Sequence, residues 1–113
     1  MSQTVRVYYG GAMSGRTRVN FNWSAINAES AVVITAAEYS PNLVSPGFPN
    51  ERRRVLGEAT VWISNIGVHG GDPTGSDQEA GGVEFHIHVD FPSPIFVVVD
   101  ITVLDPPASV LHL

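Results

Sequence analysis

The stretch Val83-Glu84-Phe85-His86-Ile87-His88-Val89-Asp90 decides the fold. Val83, Phe85, Ile87 and Val89 fall on one side of an extended chain. Glu84, His86, His88 and Asp90 fall on the other. Strict alternation of this kind describes a half-buried β-strand, one face on a core and one on water.

Working outward, the same period returns. In Thr17 to Trp23, Val19, Phe21 and Trp23 oppose Arg18, Asn20 and Asn22. Ala31 to Tyr39 carries the β-branched run Val32-Val33-Ile34-Thr35, which reads as a more deeply buried strand. Val55 to Ile66 sets Val61 and Ile63 against Thr60, Trp62 and Ser64, and Val5 to Tyr9 adds an edge strand. Ile95 to Leu104 is apolar on nearly every position, so it is expected at the centre of a sheet and covered on both faces. Turn residues fall between these runs: Gly10-Gly11, Ser40-Pro41-Asn42, Pro46-Gly47 and Pro92-Ser93-Pro94 are each expected to break pairing. The best helical candidate, Trp23 to Ser30, reads as a loop with one turn. These signals predict one all-β domain over residues 1–113, a small antiparallel β-sandwich of about six strands.

Composition excludes several functions. At 113 residues the chain buries roughly two-thirds of its unfolded surface, enough for one core without staples. Cysteine is absent, which removes thiol catalysis, zinc–thiolate sites and disulfides. All six basic residues are arginines, so no Schiff-base or phosphate-loop lysine exists. With a net charge of −5 and only Arg52-Arg53-Arg54 as a basic cluster, nucleic acid is not an expected partner. No apolar run approaches the roughly 20 residues of a membrane span. The N-terminal residues lack a signal-peptide pattern, so the expected location is cytoplasmic, or outside the cell by an unrecognised export route. No cofactor is implied.

Chemistry concentrates on the polar side of residues 83–90. Side chains two apart on a strand point the same way, so His86 and His88 stand side by side, flanked by Glu84 and Asp90. The pair is half of a metal site, for which His69 or Asp72 would supply a third ligand. It is equally the polar face of a solvated strand, or a ligand-binding face. Nucleophilic catalysis has less to stand on: Gly11-Ala12-Met13-Ser14-Gly15 is not a nucleophile elbow, and the chain is expected not to be an enzyme. Trp62 shares the polar parity of its strand, so it reads as an exposed stacking platform for a sugar, or as an interface or core residue. Gly70 to Gly82, with Asp72, Asp77 and Glu79, is the one long polar segment and is expected to be a mobile loop.

The runs Val19-Asn20-Phe21-Asn22-Trp23, Ala31-Val32-Val33-Ile34, Arg53-Arg54-Val55, Trp62-Ile63-Ser64-Asn65-Ile66, Val83 to Val89 and Val97 to Leu104 resemble the H-type lectin domain over about residues 16 to 105. The resemblance implies a carbohydrate-binding module for galactose-type sugars, assembled as a homo-oligomer, a trimer or its multiple. It also implies that Arg53 or Arg54, together with His88 or His86, helps to hold the sugar. The chain departs from that pattern where Gly70-Gly71 opens an acidic insertion, and where Asp100 or Thr102 stands in place of a tryptophan. A structural subunit of a shell, appendage or scaffold, or a His-dependent metal-binding protein, are the other functions compatible with the residues.

Overall fold

The computed structural model describes residues 2–71 and 79–113. It contains seven strands: β1 (Gln3–Tyr8), β2 (Gly15–Asn22), β3 (Val32–Ser45), β4 (Phe48–Arg54), β5 (Thr60–His69), β6 (Gly82–Asp90) and β7 (Val97–Val103). They form two antiparallel sheets, one ordered β1-β7-β3-β4 and the other β2-β6-β5. The protein is all-β and sandwich-like, as its alternation predicts. Trp23 to Ser30 contains turns and no helix.

The alternating stretch Val83 to Asp90 lies in β6, the middle strand of its sheet. Val83, Phe85 and Ile87 are buried completely or nearly so, and Val89 is 5% exposed. They meet Ile34, Val97, Val99, Ile101 and Val103 from the other sheet in one cluster. Burying each Ile, Val or Phe stabilises by about 1.5–3 kcal/mol, which makes this layer the main source of stability. β2 and β5 pack the same way, with Val19, Phe21, Val61 and Ile63 turned inward.

Three features depart from the sequence reading. The seventh strand is β4, whose residues Phe48-Pro49-Asn50-Glu51-Arg52-Arg53-Arg54 show no alternation. It exists because β3 runs on through Pro41 to Ser45 and turns back at Pro46-Gly47. Gly47 has φ 78°, the left-handed value that the third residue of a type II turn requires after a proline. The expected break at Ser40-Pro41-Asn42 is instead a register shift between Ser40 and Val44. β7 lies between β1 and β3, central as expected, but its outer face is not covered by a further layer. Asp100 and Thr102 are half-buried there, opposite Arg6 and Thr4.

The shift in β3 also re-aims β4. β3 pairs β7 only as far as Glu38, and beyond it pairs β4. The bend carries β4 back toward β1, its opposite number in the sheet order. The Arg52 amide donates to the Tyr8 hydroxyl at 3.0 Å, and Arg6 reaches Glu51 at 2.9 Å.

The long polar segment is anchored at both ends. The Gly71 amide donates to the Glu79 carbonyl at 3.1 Å, and the Trp23 amide to the Gly81 carbonyl at 2.8 Å. Gly81 lies against the Ile26 carbonyl so closely that a Cβ there would overlap its oxygen. Asp72, Asp77 and the expected mobility of the loop lie outside the described residues. No helix among the described residues is long and apolar enough to cross a membrane.

Candidate functional site

Strand register decides which side chains share a surface. On the outward face of the three-stranded sheet, β2 contributes Arg16, Arg18, Asn20 and Asn22. β6 contributes Glu84, His86, His88 and Asp90, and β5 contributes Trp62, Ser64 and His69. The pairings Arg16–His88–Trp62 and Arg18–His86–Ser64 make two adjacent rows across the sheet.

The rows are tied together diagonally. Arg18 donates to Glu84 Oε2 from Nε at 2.9 Å and from Nη2 at 2.6 Å. Ser64 Oγ and His88 Nε2 share a hydrogen bond of 2.6 Å. The Trp62 indole lies flat on the His88 imidazole, with ring centroids 4.7 Å apart and planes 2° from parallel. His86 meets His88 edge-on at 6.1 Å. Trp62 remains 44% exposed, so one face of the indole lies on His88, which Ser64 holds by its hydrogen bond, while the rest meets solvent.

Beside these rows the sheet is indented. The pairing of β5 with β6 shifts between Ser64 and Gly67, and Asn65 sits there with φ 56°. Asn is among the few side chains that adopt this left-handed conformation readily. The bulge opens a concavity of about 320 Å³ lined by Arg18, Asn65, Gly67, Val68, His69, Glu84, Phe85 and His86. Bulges beside a site commonly re-aim side chains in this manner. The indentation is rimmed by donors and acceptors from Arg18, Asn65, His69, Glu84 and His86.

The predicted residues divide between the two sheets. His86, His88 and Trp62 come together on the face just described. Arg53 and Arg54 do not join them, because both lie on β4 of the other sheet. Arg54 lines a separate hollow of about 310 Å³ with Thr35, Ala37, Val98 and Asp100. Within one chain the sandwich core separates the two hollows, so Arg53 and Arg54 share no site with the histidines. Arg16 and Arg18 take that place. The period of β2 already put Arg18 on the polar side, but only the pairing of β2 with β6 brings it to the histidines.

Among the described residues the histidines do not converge with further metal-binding side chains. His88 Nε2 is engaged by Ser64. His69 has Nδ1 2.9 Å from the Ala80 carbonyl oxygen and Nε2 2.7 Å from Asn20 Oδ1. Among the described residues no three His, Asp or Glu side chains are grouped to hold an ion.

The Ser64–His88 contact has the reach of a nucleophile and its base, and no described residue hydrogen-bonds His88 Nδ1.

The opposite outer face is a closed network. Arg6 donates to both oxygens of Asp100, at 2.6 and 2.9 Å, and to Glu51. Tyr8 donates to Glu51 as well. The Arg6 hydrogen bonds hold the Asp100 carboxyl below the usual carboxylate range. Tyr8 first and Arg6 second do the same for Glu51, and the Arg6 guanidinium is stabilised in its charged form. Nearby, burial pushes the Tyr9 phenol up.

No protein-family model, curated protein or solved structure matches the chain.

Proposed function

We propose that the protein is a carbohydrate-binding, lectin-like module that binds without catalysis and acts as a homo-oligomer. The observation that carries this reading is the half-exposed Trp62, stacked on His88, beside a polar-rimmed hollow of about 320 Å³. Sugars present an apolar ring face for stacking and hydroxyls for hydrogen bonding. Trp62 answers the first; Arg18, His86, Glu84 and Asn65 answer the second.

Self-association has its own support. Leu43 and Val44 on the β3–β4 hairpin are each about half exposed, and Val110 and Leu111 of the C-terminal segment more so. Several copies on one oligomer multiply the weak affinity of a shallow sugar site.

Native mass spectrometry with a panel of simple sugars tests both parts. An oligomer that retains galactose-type sugars, and loses them in Trp62→Ala, is the expected result. A protein that retains no sugar overturns the binding reading. If it then forms a large or indefinite assembly, the exposed hairpin favours a structural subunit instead.

A further inference from the structure

The Trp62 indole and the hollow are separate features of the β2-β6-β5 face. β5 is the outer strand of its sheet, and His88 on β6 covers the indole face turned toward the other strands. The free indole face therefore looks past the sheet edge. The hollow lies further along the strands at the bulge, and none of Trp62, His88 and Ser64 lines it. Trp62 pairs with His88, whereas β6 lines the hollow with His86 and Glu84, two and four residues away. That offset is roughly 7–13 Å at about 3.3 Å per strand residue.

Gly67 keeps the hollow open. It pairs with Glu84 and so stands on the outward face, where it contributes no side chain. A Cβ at this position would meet no atom within 4 Å. Asn65, exposed on the bulge, comes between Trp62 and Gly67 along β5.

A pyranose needs an apolar surface for its ring face and hydrogen-bond partners for its hydroxyls. The neighbours of Trp62 on its own face of β5 are Thr60 and Ser64, and Ser64 is engaged by His88. The hollow holds the richer set: Asn65 and His86 make no side-chain hydrogen bond with a described residue, and Arg18 and Glu84 stand beside them. One pyranose is no wider than the indole it stacks on, so it cannot use both places. Rings joined by a glycosidic bond can.

We infer that this face takes an oligosaccharide of at least two pyranose units, one ring on the free face of Trp62 and another in the hollow over Gly67. The chain of the ligand runs along β5 past Asn65. The inference rests on the carbohydrate reading and adds the length of the ligand.

Calorimetric titration of the full chain with galactose and with its β-1,3- and β-1,4-linked di- and trisaccharides tests it. In at least one linkage the longer sugars are expected to bind about tenfold tighter than galactose, more than repeated rings give by number alone. Gly67→Val puts a branched side chain into the hollow at a strand position with room for it, and circular dichroism checks the fold. This variant is expected to abolish the gain with length. Equal affinity for every length in the native protein overturns the inference and leaves the carbohydrate reading standing, whatever the variant does. A gain with length that survives Gly67→Val overturns it too. If no sugar of any length binds, the carbohydrate reading fails first and takes the inference with it.

Discussion

The two outer faces of the sandwich use similar residues to opposite ends. On the four-stranded sheet, Arg6, Asp100, Glu51 and Tyr8 satisfy one another, and β4 bends over to complete the set. On the three-stranded sheet, Arg16 and His86 make no hydrogen bond with any described residue, and Trp62 is 44% exposed. One face is closed on itself; the other is open. The difference lies in topology rather than composition. The bend in β3 folds a hairpin back over the first face, whereas β5 bulges to hollow out the second. Charged residues on a surface thus indicate a site only where their partners are missing.

Both faces rest on the same core, so the largest effect comes from removing it. Phe85→Ala is expected to cost about 3–5 kcal/mol, measured by urea unfolding, and to disturb both faces together. A loss confined to one face would show that the sheets are stabilised separately. Next in size is Arg6→Ala, which strands the half-buried Asp100 and is expected to cost about 1–3 kcal/mol without touching sugar binding. A change in sugar affinity there would erase the distinction between the faces.

The same network sets a pH dependence. The folded Asp100 carboxyl titrates below its unfolded counterpart, so it contributes stability above the unfolded value of about 4. That contribution declines as pH falls through the lower folded value. The acid-side decline in the urea midpoint should therefore be shallower in Asp100→Asn. An unchanged slope would assign acid sensitivity elsewhere.

On the open face, Trp62→Ala is expected to weaken sugar binding about tenfold while costing the fold only about 1 kcal/mol. Arg54→Gln, on the other sheet, is expected to leave that affinity alone. An equal loss in both would mean that the hollows meet across two copies. The smallest expected effect is at the bulge. Asn65→Ala forces an alanine into φ 56° and should cost about 1 kcal/mol, with Asn65→Gly nearly neutral.

Much of this architecture is legible in the sequence. The period of two in residues 83–90 names Phe85 and Ile87 as core and His86 and His88 as surface. The parity of Val61 and Ile63 against Trp62 does the same for β5. β4 was not legible, because its strand character comes from the β3 hairpin rather than from its own residues. The site was half legible for a related reason. Parity places a residue on a face, but which faces adjoin depends on pairing between strands distant in sequence. The resemblance to H-type lectins points to Arg53 and Arg54. The pairing of β2 with β6 puts Arg16 and Arg18 beside the histidines instead.

The hydrogen bond from Gly71 to Glu79 closes the long loop at a neck. Ordering of the sheet ends is thereby decoupled from whatever length of chain lies beyond the neck. Lengthening a closed loop costs only about 0.6 kcal/mol per doubling. A foreign peptide spliced between Asp72 and Gln78 would therefore burden the sandwich little, and the neck makes this a place to carry added sequence.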